Sequence, residues 1–511
     1  AALISVVFVA CSSSPTAAPR SETPEITCDA EVEPGVVSPR SFGVEPVPAV
    51  APAELPELFD LVDDLGVCIV GVNAIRWDAV EPSPPADGTP RYDWTRLDAV
   101  ALEAARVGVD LQLTVQVSST WGTVSTDGSV GAPGSSPVRT EHLEAFDRFI
   151  GSMAARYGGE PGDRWEALDE PVLAMLMVGN EIEVPGHWRA NGDAEHPATA
   201  ESYHDLLDRV ADIVHIRAPD VEVLRASTNP GTAFDDGPDA ATLGARIDQL
   251  GPTEAQAFAD FQDRAVDPER RYDHYALHAN HGADAVFHAG RWAQDRLPEG
   301  TGVVIEDMRS TLTATPYVDP WADVDGDGVA DDLAAIGADA EGDGLEAASP
   351  EVVDFRRAQA AVVSQKALFA AAVGYRAAFV STLVDFPASY PIIEWRSTGL
   401  VDRTRGELRP AYLAYQQVID MVGGARRVGF EQRSTGMWVA TFIASDGRPL
   451  AFVWSDLEDV VDLTEVIADP VGVSALPSRP GERGLVGVDG PIDAVPVGPV
   501  PVVVQGRPPD R

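Results

Sequence analysis

The feature that most constrains the fold of this chain is a repeated alternation of apolar, strand-like runs with amphipathic, helix-like runs. The clearest strand-like runs are 67–72, 109–117 and 172–178, and they are apolar almost throughout rather than at every second residue. Strands that are apolar on both faces are typical of a parallel sheet whose two sides are covered by helices. The sequence therefore predicts an α/β fold for most of the chain.

The number of strand-like runs narrows this class to one architecture. Further runs of this kind lie at 41–44, 221–226, 274–278, 303–305 and 377–384. Together they make about eight strands over about 390 residues, which is the size of a (β/α)8 TIM barrel with long loops. We therefore predict that residues 39–424 form such a barrel.

The last part of the chain has a different pattern of apolar residues and turns. After about residue 421 the helical patterning stops, and short β-rich segments such as MWVATFIAS and PLAFVWS are separated by Gly, Pro and Asp. This spacing of short strands and turns is typical of antiparallel sheets. We expect residues 425–511 to form a small β-sandwich-like domain.

The charge of the chain limits its partners. Acidic residues outnumber basic ones 81 to 37, and the formal net charge is −44. Such a field repels nucleic acid and anionic membrane surfaces, whereas it is compatible with neutral substrates and divalent cations. An acidic proteome or a salty habitat explains the charge equally well. Lys366 is the only lysine, and its position in a predicted helix argues against Schiff-base chemistry.

The N-terminal segment has the pattern of an export signal. Residues 1–11 read AALISVVFVAC, an apolar run too short to span a membrane. Cys11 after Val9-Ala10 resembles the lipidated cysteine of a bacterial lipoprotein, and the following residues to 38 are rich in Ser, Pro, Thr and Glu. We interpret 1–38 as a truncated lipoprotein signal and flexible tether. The protein would then be extracytoplasmic and would contact the cell envelope only through its lipid; plain secretion is the alternative.

The two remaining cysteines have two interpretations. In an oxidising compartment Cys28 and Cys68 could form a disulfide. Cys68, however, lies in an apolar strand-like run, where a buried free thiol is equally compatible with the pattern.

Two glutamates stand where a TIM barrel carries its chemistry, at the carboxyl ends of the strands. The fourth strand-like run ends in Val178-Gly179-Asn180-Glu181, and the seventh is followed directly by Glu306. Carboxylates on strands four and seven would face each other across the barrel mouth. At a separation of roughly 5.5 Å such a pair performs retaining glycoside hydrolysis, with no cofactor needed for catalysis.

At these positions the sequence resembles the clan A glycoside hydrolases. The resemblance is carried by the Asn180-Glu181 pair, by Glu306 and by the segments 75–100 and 398–419, and it spans roughly residues 40–425. It implies that Glu181 is the acid/base, that Glu306 is the nucleophile and that Asn180 contacts the sugar 2-hydroxyl.

The resemblance also suggests further substrate-binding residues. Arg76 would lie beneath the nucleophile and hold its carboxylate ionised. Trp121 and Trp188 would stack on sugar faces, although packing beneath loops is the alternative for both. Clan members often place a tryptophan at the end of strand eight, where this chain has none, and Trp395 in the following loop is a possible substitute.

Three histidines near the sixth strand raise the question of a metal site. His274 and His278 share a strand face but would lie about 13 Å apart at 3.3 Å per residue, too far to bind one ion; His281 follows in the loop. We expect His278 to contact sugar or to serve as a structural hydrogen-bonding residue.

An Asp-rich segment at 323–344 predicts a calcium site. Asp323, Asp325 and Asp327 at alternate positions, followed by Gly328, reproduce the start of an EF-hand-type loop. Ala334 replaces the usual twelfth-position Glu, so the loop is closer to the short calcium loops of extracellular repeat proteins. The remaining predicted ligands are Asp331, Asp339 and Asp343. We expect structural Ca²⁺ here, with a solvated acidic loop as the alternative.

The leading functional hypothesis is thus a retaining glycoside hydrolase that acts on an extracellular oligo- or polysaccharide. The rival hypothesis is a non-catalytic, calcium-stabilised carbohydrate-binding surface lipoprotein, which the unusual Asp307-Met308 after Glu306 keeps open. A metal-dependent barrel hydrolase would need His and Asp ligands that converge at strand ends, and the sequence shows no such set.

Overall fold

The computed structural model describes a set of ranges that covers most of the chain. These are residues 28, 32–45, 51–85, 88–125, 135–182, 187–188, 198–228, 270–279, 282–309, 350–386, 398–403, 406–434, 436–488 and 490–508. Several predicted site residues therefore lie outside the described residues, namely Cys11, Trp395, Asp323, Asp325, Asp327, Asp331, Asp339 and Asp343.

Eight parallel strands close into a barrel, which confirms the predicted (β/α)8 architecture. Each strand pairs with the next in sequence, and β8 pairs with β1 to complete the circle. The strands are β1 (Phe42–Glu45), β2 (Ile69–Arg76), β3 (Asp110–Gln116), β4 (Leu173–Val178), β5 (Glu222–Thr228), β6 (His274–His278), β7 (Gly302–Arg309) and β8 (Ala377–Ser381).

Helices cover the outside of the barrel. They are α1 (Leu55–Leu65), α2 (Trp77–Val80), α3 (Thr95–Val107), α4 (Leu143–Gly158), α5 (Ala200–Arg217), α6 (Ala283–Gln294), α7 (Pro350–Val373) and α8 (Pro410–Val422). In α1 the buried residues Leu55, Leu58, Phe59, Val62 and Leu65 recur every three or four positions and form one apolar face. The helix ends at Gly66, whose φ of 80° is the left-handed C-terminal cap that glycine adopts without a steric penalty.

The interior of the barrel is filled by side chains. Its apolar layers are built from Ile69, Met175, Met177, Leu224, Ala276, Val304, Ala377 and Phe379. Gly43 makes room for one of these rings, because a Cβ there would lie 2.5 Å from the Phe379 ring. These apolar side chains form a packed core inside the barrel.

An antiparallel sheet follows the barrel, as predicted. Its strands are β9 (Arg426–Ser434), β10 (Met437–Ile443), β11 (Pro449–Ser455), β12 (Asp459–Val461), β13 (Pro470–Ala475), β14 (Val486–Gly487), β15 (Val495–Val497) and β16 (Val502–Gly506). Six strands are ordered β14-β13-β16-β11-β10-β9, and β12 and β15 form a separate ribbon.

Aromatic side chains join this sheet to the barrel. Phe369 of α7 meets Trp438 and Trp454 edge-on at 5.0 and 5.2 Å, and Phe430 stacks on Trp438 at 5.4 Å. These large apolar surfaces are buried in the same cluster as the barrel's outer core. The sheet is thus packed firmly against the helical layer.

The N-terminal segment is attached at the lower face of the barrel. Cys28 and Cys68 form a disulfide, which resolves the question that the sequence left open. Cys68 immediately precedes β2, so the disulfide lies at the amino ends of the strands, opposite the predicted catalytic mouth. Val37 also exchanges backbone hydrogen bonds of 2.8 and 2.9 Å with Ala425 and Gly424. Among the described helices, none is long and apolar enough to cross a membrane.

A buried ion pair holds the segment that follows β8. Arg409 donates from Nη1 to Asp385 Oδ1 at 2.6 Å and from Nη2 to Asp385 Oδ2, and both residues are buried. Asp385 Oδ1 also accepts the Gly399 backbone N–H at 3.0 Å, and Arg409 donates to the Gly399 carbonyl. These contacts fix the 398–403 segment against the end of β8.

We predict that Arg409→Met lowers the free energy of unfolding by about 3–5 kcal/mol, because it leaves the Asp385 carboxylate buried without its cation. Chemical denaturation measures the loss. The matched control is Arg448→Met, which removes the half-exposed pair with Asp446 and should cost at most about 1 kcal/mol. Equal losses in the two variants would contradict the assignment of Arg409 as a buried structural cation.

Candidate active site

Glu181 and Glu306 both lie at the carboxyl ends of their strands, on irregular backbone. Glu181 has φ 45° and Asp307 has φ 55°, a left-handed conformation that costs free energy in residues other than glycine. The Glu181 N–H donates to the Ser227 carbonyl at 3.0 Å, and the Gly179 N–H donates to the Val115 carbonyl at 2.8 Å. Hydrogen bonds to both neighbouring strands therefore hold the Glu181 backbone in this conformation.

The two predicted catalytic carboxylates contact opposite sides of one imidazole ring. His278 Nδ1 lies 2.7 Å from Glu181 Oε1, and His278 Nε2 lies 3.3 Å from Glu306 Oε2. One imidazole ring and two hydrogen-bond lengths therefore bridge the two carboxylates. The side chain of Glu306 is 2% exposed and that of Glu181 is 14% exposed. Glu181 is therefore the more accessible acid.

The charge of His278 follows from these contacts. Burial by itself favours the neutral ring, but the hydrogen bond and charge of Glu181, together with Glu306 and Asp307, raise the pKa of His278 well above its usual value. The imidazolium donates from both nitrogens, so it satisfies one oxygen of each carboxylate. The structure thus places His278 between the two candidate carboxylates, a position more specific than the sequence indicated.

A polar network supports the second oxygen of Glu306. Thr114 Oγ1 lies 3.2 Å from Glu306 Oε1 and 2.8 Å from Asn73 Oδ1. The Thr114 oxygen in turn accepts a hydrogen bond of 2.8 Å from Gln112 Nε2. Side chains of β2 and β3 therefore fix the Glu306 carboxylate from below. They could not be predicted from the sequence, because uncharged residues inside strands carry no chemical signature.

Arg76 lies elsewhere than expected. Its guanidinium donates to both carboxylate oxygens of Asp78 at 3.0 Å, and within the described part of the chain Glu306 has hydrogen bonds only with His278 and Thr114. The reason lies in β2, which is irregular between Val72 and Ile75. Such a bulge changes which side chains face the barrel interior. As a result Asn73, rather than Arg76, connects β2 to the network of Glu306.

Asn180 is fixed next to the acid/base candidate. Its Oδ1 accepts a hydrogen bond of 2.7 Å from Ser227 Oγ on β5. The other oxygen of Glu181, Oε2, lies 3.5 Å from His187 Nδ1. Asn180, Glu181 and Ser227 thus form one polar edge of the barrel mouth.

Both described candidate tryptophans take part in packing. The Trp121 ring is tilted against Trp77 at 4.4 Å between centroids, and its Nε1 donates to the Glu81 carbonyl. Trp188 is 7% exposed and meets Tyr203 edge-on at 5.6 Å. Trp121 keeps part of its ring accessible, whereas Trp188 is almost completely covered.

A further acidic residue, Glu45, lies beneath the site and was not predicted. It ends β1, is 4% exposed, and hydrogen-bonds Asn73. Burial and the charges of Asp307 and Glu306 raise the pKa of Glu45 well above its ordinary value. The rule that selected Glu181 and Glu306, an acid at the carboxyl end of an apolar strand, applies to Glu45 as well.

His274 belongs to a different cluster at the amino ends of the strands. Its Nε2 lies 3.2 Å from Glu222 Oε2, and its Nδ1 accepts from the Gly302 N–H at 3.0 Å. Burial opposes ionisation of Glu222, but hydrogen bonds from His274 and Arg376 lower its pKa to about 2. In the ranges that the structure describes, no group of three or more His, Cys, Asp or Glu residues is placed to hold a metal ion.

Comparison with known proteins identifies the fold. No protein-family model and no curated protein matches the sequence. A conserved exported protein from Bacteroides fragilis is 12% identical, with 93% of this chain and 99% of that chain covered and a TM-score of 0.55. A glucosidase from Croceicoccus marinus is 12% identical, with 93% of this chain and 97% of that chain covered and a TM-score of 0.54. A GH39 enzyme from Xanthomonas axonopodis pv. citri is 14% identical, with 93% of this chain and 96% of that chain covered and a TM-score of 0.52. The chain therefore shares its overall fold with these proteins.

Proposed function

We propose that this protein is a retaining glycoside hydrolase that cleaves O-glycosidic bonds of an extracellular oligo- or polysaccharide. The observation that carries the proposal is the placement of Glu181 and Glu306 on either side of His278, at the mouth of a barrel with a glycosidase fold. Two carboxylates at a barrel mouth can act as acid and nucleophile on one glycosidic bond.

In the first step Glu306 attacks the anomeric carbon while Glu181 protonates the departing oxygen. The bond from C1 to the leaving oxygen breaks, and a covalent glycosyl–Glu306 ester forms. Hydrogen bonds with Thr114 and His278 hold the Glu306 carboxylate in one orientation, which lowers the entropic cost of attack. Glu181 suits proton transfer because it is nearer to solvent and to an incoming sugar.

In the second step Glu181 acts as the base. It removes a proton from a water molecule, whose oxygen attacks C1 and displaces the Glu306 carboxylate. Because the Glu181 oxygen and His278 Nδ1 lie 2.7 Å apart, the catalytic proton is shared within this pair between turnovers. The departing Glu306 carboxylate regains its charge beside the imidazole ring.

Next to Glu181, Asn180 would contact the sugar 2-hydroxyl, a role that the resemblance to clan A supports. Asn180 neighbours Glu181, and Ser227 fixes its amide orientation. Trp121 is the better placed of the two described tryptophans for stacking on sugar, because part of its ring is accessible. Arg76 would contribute through Asp78 to the shape of the mouth.

We further propose structural Ca²⁺ in the 323–344 segment. The six aspartates predicted as ligands supply the carboxylate oxygens that Ca²⁺ prefers, and without a cation they would repel one another. The segment connects β7, which carries Glu306, to α7, so the ion would stiffen the chain next to the nucleophile.

An extracytoplasmic location is supported by the disulfide between Cys28 and Cys68, since such bonds persist in oxidising compartments. We propose that Cys11 is lipidated and tethers the protein to the bacterial cell envelope. Because the disulfide lies at the amino ends of the strands, the tether would leave the barrel on the face opposite Glu181 and Glu306. The mouth would then open away from the membrane.

The catalytic assignment predicts different substrate dependence for two variants. Glu306→Ala should lose activity on every member of a panel of aryl β-glycosides and polysaccharides. Glu181→Ala should lose on the order of 10²–10⁴-fold in kcat/KM on polysaccharide, but far less on a dinitrophenyl glycoside, whose leaving group needs no proton. Glu57→Gln, an exposed change on α1, is the control and should behave as wild type.

The stereochemistry of the product tests the double displacement directly. Proton NMR during the first minutes should show the same anomer in the product as in the substrate. A first-formed product of inverted configuration, or turnover that persists in Glu306→Ala, would contradict the retaining mechanism with Glu306 as nucleophile.

The role of His278 predicts a change in pH dependence. The pKa of His278 is raised, so the Glu181–His278 pair keeps a proton at neutral pH. We therefore expect kcat/KM to decline only when the pH rises through the pKa of His278. In His278→Gln the proton rests on Glu181 alone, so the alkaline limb should move to lower pH. An unchanged alkaline limb in a folded His278→Gln enzyme would show that His278 does not share the catalytic proton.

The calcium proposal predicts that removal of divalent cations lowers the melting temperature. Scanning calorimetry with EDTA, and again after excess CaCl₂ is added, measures the effect. We expect a decrease of several degrees that Ca²⁺ reverses and that is smaller in Asp325→Asn. No shift on chelation would remove calcium from the proposal.

A further inference from the structure

A second histidine lies beside the acid/base candidate, and the proposed mechanism does not use it. His187 Nδ1 lies 3.5 Å from Glu181 Oε2, whereas His278 Nδ1 lies 2.7 Å from Glu181 Oε1. The two oxygens of one carboxyl group therefore have different neighbours. The side chain of His187 is 16% exposed and that of Glu181 is 14% exposed, so a ligand in the barrel mouth can reach both.

The contact with His278 determines which oxygen of Glu181 donates the catalytic proton. Oε1 accepts the short hydrogen bond from the imidazolium. In a protonated carboxyl group the oxygen that accepts hydrogen bonds is the carbonyl oxygen, and the other oxygen carries the hydrogen. In the acid form of Glu181 the proton therefore belongs on Oε2, and the leaving oxygen of the substrate must approach Oε2.

This requirement brings the leaving group next to His187. At a hydrogen-bond length from Glu181 Oε2, the leaving oxygen lies at most about 6 Å from His187 Nδ1. The hydroxyl groups on the ring carbons beside that oxygen can bridge such a distance. His278, by contrast, contacts both Glu181 and Glu306, so it lies beside the sugar that becomes attached to Glu306. The two histidines thus belong to the two sides of the bond that is cleaved.

The backbone that carries His187 is fixed by neighbouring segments. The His187 carbonyl accepts a hydrogen bond of 2.9 Å from the Ser135 N–H, and Ser135 forms a parallel bridge with Trp188. Trp188 is buried, donates from Nε1 to Ser202 Oγ at 3.2 Å and meets Tyr203 edge-on. The segment after β3 and helix α5 therefore hold His187 beside Glu181, which reduces the entropy lost when the ring binds a ligand.

We propose that His187 is a specificity-determining residue that hydrogen-bonds a hydroxyl group of the leaving sugar. Each imidazole nitrogen either donates or accepts, which suits a hydroxyl group because a hydroxyl does both. An apolar leaving group would cover the ring without replacing its hydrogen bond to water, and that costs free energy. The site thereby favours bonds between two sugars over glycosides of apolar alcohols. His187 makes and breaks no covalent bond, and it contributes binding energy only while the leaving sugar is present.

Three β-glycosides with one glycone separate this role from an effect on Glu181. Their leaving groups are a second unit of the same sugar, cyclohexanol and dinitrophenol. Cyclohexanol has a ring of the same size as a pyranose and needs the Glu181 proton, but its ring carries no further hydroxyl group. Dinitrophenol needs neither the proton nor a hydroxyl contact. The glycone is the mono-, di- or trisaccharide of β-linked glucose, xylose or mannose that the wild type releases fastest from its dinitrophenyl glycoside.

We expect His187→Leu, which fills a similar volume without a polar atom, to lose on the order of 10-fold in kcat/KM on the sugar–sugar bond. On the other two glycosides kcat/KM should stay within about 3-fold of wild type. His187→Asn keeps a polar group at the position of Nδ1 and should recover most of the loss. The matched control is His215→Ala, which removes a histidine near the end of α5 that pairs with Asp273, and it should behave as wild type on all three substrates.

Three outcomes would overturn the proposal. Equal losses in His187→Leu on the sugar and cyclohexyl substrates, with the dinitrophenyl substrate spared, would show that His187 acts on proton transfer by Glu181. Equal losses on all three substrates would show a structural role. A wild type that cleaves the cyclohexyl glycoside as fast as the sugar–sugar bond would show that the site does not recognise hydroxyl groups. If His187→Leu does not fold, His187→Ala is measured on the same substrates with the same criteria.

The inference rests on the proposed function, since turnover is its readout, and the two fail in different ways. If the wild type turns over no glycoside, or Glu306→Ala is active, the proposed function is wrong. If the wild type is active, Glu306→Ala is inactive and His187→Leu cleaves the sugar–sugar bond as fast as wild type, only the assignment of His187 is wrong.

Discussion

The pairing of β1 with β8 is the constraint on which the rest of the structure depends. Four residue pairs, from Phe42 with Ala378 to Glu45 with Ser381, close the sheet and remove its edges. The closure requires Gly43, because the Phe379 ring occupies the space of a side chain there. Once the circle is closed, the carboxyl ends of all eight strands meet in one ring. Side chains that are far apart in sequence then share a single polar layer above an apolar core.

That layer concentrates negative charge around one cation. Glu45, Glu181, Glu306 and Asp307 all act on His278 or on each other, in a region that is largely shielded from water. Buried carboxylates are tolerated only when protons, cations or hydrogen bonds compensate them. Here the pKa of His278 and the pKa of Glu45 are both raised, which favours a positive charge on the first and a neutral second and so reduces the net negative charge of the layer. The left-handed backbone at Glu181 and Asp307 adds strain in the same place. A site of this kind lowers stability locally, and the aromatic junction with the C-terminal sheet and the buried Arg409–Asp385 pair stabilise the surrounding scaffold.

The sequence predicted the architecture well because periodicity and strand burial are local properties. The eight strands lie close to their predicted positions, and the antiparallel sheet begins where helical patterning stops. Glu181 and Glu306 could be selected because the ends of barrel strands are recognisable in sequence. The sequence did not predict the directions in which individual side chains point. Arg76 pairs with Asp78 because a bulge in β2 redirects the following residues, and a bulge leaves no clear mark in the sequence. Thr114 and Asn73 are uncharged strand residues whose importance comes only from what lies opposite them.

By itself, then, the sequence determined the barrel, the C-terminal sheet and two acids at strand ends, since each of these follows from patterns over a few neighbouring residues. Only the tertiary structure decided that Cys28 and Cys68 pair and that one ring, His278, contacts both Glu181 and Glu306. Only the tertiary structure also places Glu45 close enough to Glu306 and His278 for their charges to act on its carboxyl group. The physical reason is that protonation and hydrogen bonding depend on the spatial distances between side chains on different strands, and these strands are far apart in the sequence. Those distances exist only once the barrel has closed.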